Sequence, residues 1–165
     1  MAADIEHYVA MAEAVLADGD AERALGIYEQ VAEMAPDNLA VVAGRAQALL
    51  AALPEDKAKD PALAQVKAAV ALARETAPVD DLTPLRQAVE ANPQDLDARY
   101  ELAGGLMAAG DRDGAADQLL ASIAQDRAYK EGAARERLLK LFASIGLEDP
   151  WVAAQRRRLS TVLFG

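Results

Sequence analysis

The side chains of this 165-residue chain that could carry out chemistry are few and scattered. His7 is the sole histidine and stands beside Glu6. It has neither the clustered ligands that a metal needs nor the orienting partner that a general base needs. Asp111-Arg112-Asp113-Gly114 has the start of a calcium loop. It lacks the ligand at the fifth position and the glutamate at the twelfth, so it reads as a turn between helices. Asp80 and Asp81 stand at a helix start, where capping accounts for them. Gly104-Gly105 follow a helical run rather than a strand and belong to no phosphate loop. The chain has no cysteine, which excludes disulfides, thiolate nucleophiles and cysteine-held metals. No enzyme, cofactor or metal site is visible in these residues.

The composition points to what positions the remaining side chains. Apolar residues make up 53% of the chain, too many for wholesale disorder, while aromatics make up only 4%. About a quarter of the residues are alanine, the best intrinsic helix former. A chain of this kind is all-α. It has no apolar run long enough to span a bilayer, and its start carries Asp4, Glu6 and Glu13 in place of basic residues. Those features point to the cytoplasm and to no membrane partner. The net charge is −10, which disfavours nucleic acid as a partner. Residues 1–56 hold 11 acidic and 2 basic side chains, whereas residues 127–165 hold 4 and 8. The chain is polarised, acidic at one end and basic at the other.

Helix boundaries follow from turn chemistry. Asp60-Pro61, Thr83-Pro84 and Asp149-Pro150 each put a capping oxygen before a proline at the first helical position. Gly19-Asp20 and Gly110-Asp111 each read as a left-handed stop followed at once by a new cap. These marks predict helices over 4–17, 20–35, 38–53, 61–77, 82–91, 94–109, 112–126, 130–145 and 149–163, with an exposed loop over 53–60. Helices of this length joined by short turns pack antiparallel.

The segment Tyr8…Gly19-Asp20…Ala24…Tyr28…Pro36 has the spacing of one tetratricopeptide unit, a 34-residue helix–turn–helix. A second copy is Arg99…Leu102-Ala103…Gly110-Asp111…Ala115…Leu119, and Leu82…Pro93 supplies part of a third. The expected architecture is a short right-handed superhelix of tetratricopeptide-like hairpins, closed by a C-terminal capping helix pair. Residues 1–36 form the first repeat, 37–93 degenerate middle repeats, 94–127 the last clear repeat and 128–165 the cap. Further on, the order Asn92-Pro93…Leu102-Ala103…Gly110-Asp111, then Gly132-Ala133-Ala134-Arg135, Asp149-Pro150-Trp151-Val152 and Leu163-Phe164, is distinctive. It resembles the C-terminal repeat region of the YbbN (CnoX) family, bacterial thioredoxin-domain co-chaperones. This chain departs from that family in having no thioredoxin domain and no Cys-x-x-Cys, so any redox activity of the family cannot reside here.

The resemblance implies a co-chaperone module that binds unfolded or folding clients and links them to a chaperonin or an Hsp70 machine. The residues by themselves give a helical-repeat binding module, and a static scaffold for one folded partner is the alternative. The candidate contact positions are Val9 and Glu13 in the first repeat and Tyr100 and Gly104 in the last. No lysine or asparagine stands at these positions, so the groove is expected to be apolar, small-lined and rimmed by acid, with little positive charge. The C-terminal helix adds Arg156, Arg157, Arg158, Leu163 and Phe164, a basic amphipathic end that either docks a partner or caps the fold.

Overall fold

The structure of the chain, a computed structural model, describes residues 2–76 and 79–165, without the side chains of Ala2 and Leu39. Every regular element among the described residues is helical. The helices fall into two compact units, the first ending at Arg74 and the second running from Glu75 to Gly165.

In the first unit α1 (Ala2–Ala17) and α2 (Ala21–Met34) form a hairpin, and α3 (Leu39–Ala51) packs on both. The turn between α1 and α2 is set locally. Gly19 adopts φ 89°, where a side chain is disfavoured, and the Asp20 carboxylate accepts the Arg23 N–H at 3.1 Å. Asn38 caps α3 in the same way, accepting from Ala40 and Val41. The core gathers Ala12, Ala24, Tyr28 and Ala48, with Val9, Val15 and Leu16 packed against it. Tyr28 is fully buried, and its ring lies across Gly44 so closely that a Cβ there would sit 2.3 Å from Cζ.

The middle of the chain departs from the sequence expectation. The loop over 53–60 contains a single helical turn, α4 (Glu55–Ala58). The helix expected over 61–77 begins as a 3-10 turn at Pro61–Leu63, capped by Asp60, before α5 (Ala64–Glu75). Two prolines within eight residues, Pro54 and Pro61, keep the backbone from continuing one helix there. Ala77, the last residue of that expected helix, lies outside the described residues.

The second unit is built on α6 (Thr83–Ala91), α7 (Leu96–Ala108), α8 (Arg112–Gln125), α9 (Ala133–Ile145) and α10 (Pro150–Phe164). Thr83 is not the cap of α6. Leu82 stands at the cap position, its carbonyl accepting the Arg86 N–H, and the Thr83 N–H donates to the Asp81 carboxylate at 2.8 Å in an Asx turn just ahead of the helix. Gly110, at φ 80°, and Asp111 repeat the stop and cap seen at Gly19 and Asp20.

Helix α8 is central and packs on α7, α9 and α10. Its Ala115, Ala116, Leu119, Leu120 and Ile123 are all buried. Against it α7 sets Leu102, Ala103, Gly104 and Gly105, also buried. Small side chains on both helices let the axes approach closely. Each fully buried leucine contributes roughly 2 kcal/mol of apolar burial. Helix α10 covers this core with Val152 and Leu159, while the half-buried Trp151 meets Phe142 edge to face and donates its indole N–H to Asp113 at 2.7 Å.

The glycines at the close contacts separate two outcomes. Gly44→Ala drives a methyl into the ring of fully buried Tyr28, and the chain is expected to lose about 1–3 kcal/mol. Gly105→Ala meets the tip of half-buried Leu82, which is free to move, so helix propensity dominates and stability holds or rises slightly. Thermal melts of the two variants check the contrast.

Candidate protein-binding surfaces

The first surface lies wholly within the first unit. It is an open groove of about 580 Å³ walled by α1, α3 and α5. From α1 come Glu13, Leu16 and Ala17, and from α3 come Gln47, Leu50 and Ala51. Each α3 residue stands 34 positions after its α1 counterpart, so the two walls are the same helix face in successive repeats. Helix α5 supplies Lys67, Val70, Ala71 and Arg74, a single stripe at helical spacing. The floor is aliphatic.

One end of the groove is polar. The Arg74 guanidinium donates to the carboxylate of Glu13 and to the amide oxygen of Gln47. Beneath lies Tyr28, whose hydroxyl is buried without an aligned hydrogen-bond partner. Burial pushes its phenol above the ordinary range, against the opposing pull of the Arg74 charge. At the other end the Lys67 ammonium donates to the Ala58 carbonyl.

Of the two positions expected here, Glu13 lines the groove and Val9 does not. Val9 is half-buried against the Ala12, Ala24, Tyr28 and Ala48 core. Gln47, Lys67 and Arg74 were not among the expected contact residues. The 34-residue offset from Glu13 to Gln47 is the signal that identifies the first. Nothing local identifies Arg74, which reaches Glu13 from 61 residues away.

The second surface surrounds Tyr100 and Gly104 on α7. Positive charge was not expected there, yet the structure brings two cations from later in the chain. Arg137 of α9 lays its guanidinium 3.6 Å from the Tyr100 ring centroid and donates to the Tyr100 carbonyl at 3.0 Å. The same guanidinium covers buried Gly104, where a Cβ would lie 3.1 Å from Nη1. Lys130 stands 5.7 Å from the Tyr100 ring and 5.2 Å from that of Tyr129. These cations are already engaged, so they pin the chain to itself. Lys130 binds Asp97 at 2.7 Å, and the Tyr129 hydroxyl donates to the same carboxylate at 2.5 Å.

That clamp holds an unusual backbone. Where a helix was expected from residue 130, the chain makes a 3-10 turn at Tyr129–Gly132, and α9 begins at Ala133. Lys130 at φ 44° and Glu131 at φ 60° are left-handed, a conformation that costs a side-chain-bearing residue roughly 1–2 kcal/mol.

The third surface is the end of α10. Arg156, Arg157 and Arg158 are all exposed. Arg158 binds Asp117 of α8 at 2.8 Å and Gln155 beside it, and so ties α10 to its own unit. Leu163 is half-buried, whereas Phe164 is 86% exposed, an unusual position for so large an apolar side chain. Among the described residues, no three His, Asp or Glu side chains gather where they could hold a metal ion, and no helix is long and apolar enough to cross a membrane.

The clamp predicts a pH response. Lys130 and Tyr129 hold the Asp97 carboxyl below its ordinary range. Its contribution is therefore complete above that range and lost as the pH falls through the lowered value. Asp97→Asn should flatten the acid limb of a stability–pH profile taken by thermal melts. Glu131→Gly should raise stability by up to about 1 kcal/mol at neutral pH by relieving the left-handed strain.

No curated protein matches the chain. The tetratricopeptide repeat family matches residues 73–164, more than half of the sequence, and this span takes in the hairpins of the second unit. Together with the helix–turn–helix units and the 34-residue offset in the groove walls, that match shows that the chain belongs to the tetratricopeptide repeat family.

Proposed function

We propose that this repeat protein binds other polypeptides along the groove of its first unit and serves as a co-chaperone module that holds non-native clients. The observation that carries the reading is the groove itself: two successive repeats present the same Leu and Ala positions to an open trough, Leu16 with Leu50 and Ala17 with Ala51. Aliphatic walls of this kind attract apolar segments through burial alone and read little sequence, which suits a holder of varied clients. A helical-repeat fold is a protein-interaction fold.

The link to a chaperonin or an Hsp70 partner rests on the resemblance of the C-terminal sequence, and the end of α10 is the element suited to it. Phe164 and Leu163 supply an apolar tip beside exposed Arg156 and Arg157, while Arg158 stays with Asp117. A cytoplasmic location accords with this role. The scaffold alternative, with one folded partner, predicts tight saturation by a single native protein.

Light scattering of a chemically denatured client tests the reading. Roughly stoichiometric wild-type chain should delay aggregation of two unrelated clients, and Leu50→Glu should abolish the delay while leaving the circular dichroism spectrum unchanged. Unchanged scattering at about tenfold excess of wild type sinks the proposal. For the C-terminal tip, Phe164→Ser should weaken chaperonin binding with little change in melting temperature. If chaperonin binding is unaffected, α10 acts only as a cap.

A further inference from the structure

We infer that the groove of α1 and α3 is made for a basic amphipathic segment of a partner, and that Arg74 is an internal substitute for an arginine of that partner. The inference rests on the reading that this groove takes polypeptide, and it adds what kind of polypeptide and what holds the groove in its present state.

Charge argues for the partner's sign. The α1 and α3 walls belong to a stretch, residues 1–56, with 11 acidic and 2 basic side chains, and Glu13 is the acid they place at the polar end of the groove. The chain meets that acid with its own α5, whose groove-facing stripe is Lys67, Val70, Ala71 and Arg74. Two cations spaced two helical turns apart flank two small aliphatic residues. Arg74 answers Glu13, while Lys67 donates to the Ala58 carbonyl, so this stripe is a template for the ligand: an arginine for Glu13 and aliphatic side chains for Leu16 and Leu50.

The contact is suited to exchange. None of the four stripe residues is buried, and α5 buries only Leu72, which does not line the groove. An open groove remains beneath the stripe. Arg74 carries α5 to both α1 and α3 by side-chain hydrogen bonds, to Glu13 and Gln47. Both members of the Arg74–Glu13 pair remain partly solvent-exposed, and ion pairs of that kind contribute little net stability. A partner arginine therefore replaces Arg74 at small cost, while its aliphatic neighbours gain more burial than half-buried Val70 and exposed Ala71 have.

The probe is a fluorescent synthetic peptide of residues 61–76 of this chain, which carries the whole stripe, titrated into the full-length protein. Arg74→Ala is expected to bind it about tenfold tighter than wild type, the gain expected if the wild-type groove is free of Arg74 only about a tenth of the time. Glu13→Arg should not bind this peptide, although it too releases α5, and should bind a peptide carrying Arg74→Glu. Because the chain has no cysteine, Ala51→Cys blocked with a maleimide gives a single obstruction in the groove, and it should abolish binding. If Arg74→Ala unfolds the chain, Arg74→Gln, which keeps the length without the charge, takes its place.

Equal affinity of wild type and the Arg74 variant overturns the inference, as does binding that survives the Ala51 block. Concentration-dependent dimerisation of the Arg74 variant also overturns it, in favour of α5 exchange between copies. The two readings fail separately. Client holding without peptide binding removes this inference and leaves the proposed function. Peptide binding without client holding does the reverse.

Discussion

The first unit depends on one close contact, the Tyr28 ring lying over Gly44. A ring of that size can be fully buried between α2 and α3 only where the opposing helix has no Cβ. The absence of that single carbon sets how near α3 approaches. With α3 seated on α2 and α1, the faces Glu13-Leu16-Ala17 and Gln47-Leu50-Ala51 lie side by side, and the groove exists. The hydroxyl end of the same ring reaches the charged end of the groove, so Tyr28 couples core packing to the electrostatics of the surface.

The second unit solves the same packing problem differently. Its close approach comes from Ala103, Gly104 and Gly105 on α7 facing Ala115 and Ala116 on α8. The outer face of α7 is then covered by cations from α9 and the turn before it. Arg137 over Tyr100 and Gly104 closes a surface that is open in the first unit. The two units therefore use equivalent hairpins to opposite ends: one leaves an aliphatic trough, and the other turns its trough into an internal cation–aromatic contact.

Charge polarity along the chain acquires a physical meaning in these contacts. The basic residues near the C-terminus are largely employed within the second unit: Lys130 on Asp97, Lys140 on Glu75 and Glu136, Arg158 on Asp117. The acidic N-terminal stretch has far fewer cations of its own. Arg74 answers Glu13, Arg45 faces Glu29 and Lys59 meets Glu55, and residues 1–74 hold 12 acidic against 6 basic side chains.

The sequence by itself determined the features that depend on neighbours within four residues. The all-α class, the stops at Gly19 and Gly110 and the caps at Asp20, Asp60, Asp111 and Asp149 are legible because each is a local match of side chain to backbone donor or to positive φ. Even locally there was a limit. The Asp81 carboxylate accepts the Thr83 N–H while Leu82 takes the cap position, and left-handed Lys130 is held by Asp97, more than thirty residues earlier. Tertiary structure alone decided the surfaces. Whether Val9 faces groove or core depends on the rotation of α1 against α2 and α3. Whether Tyr100 is bare or covered depends on where the α9 side chains arrive. Arg74 meets Glu13 across 61 residues and Arg137 meets Tyr100 across 37, and no periodicity in the chain encodes such meetings. Helix periodicity specifies which face turns inward, but only the packed helices specify what that face finds.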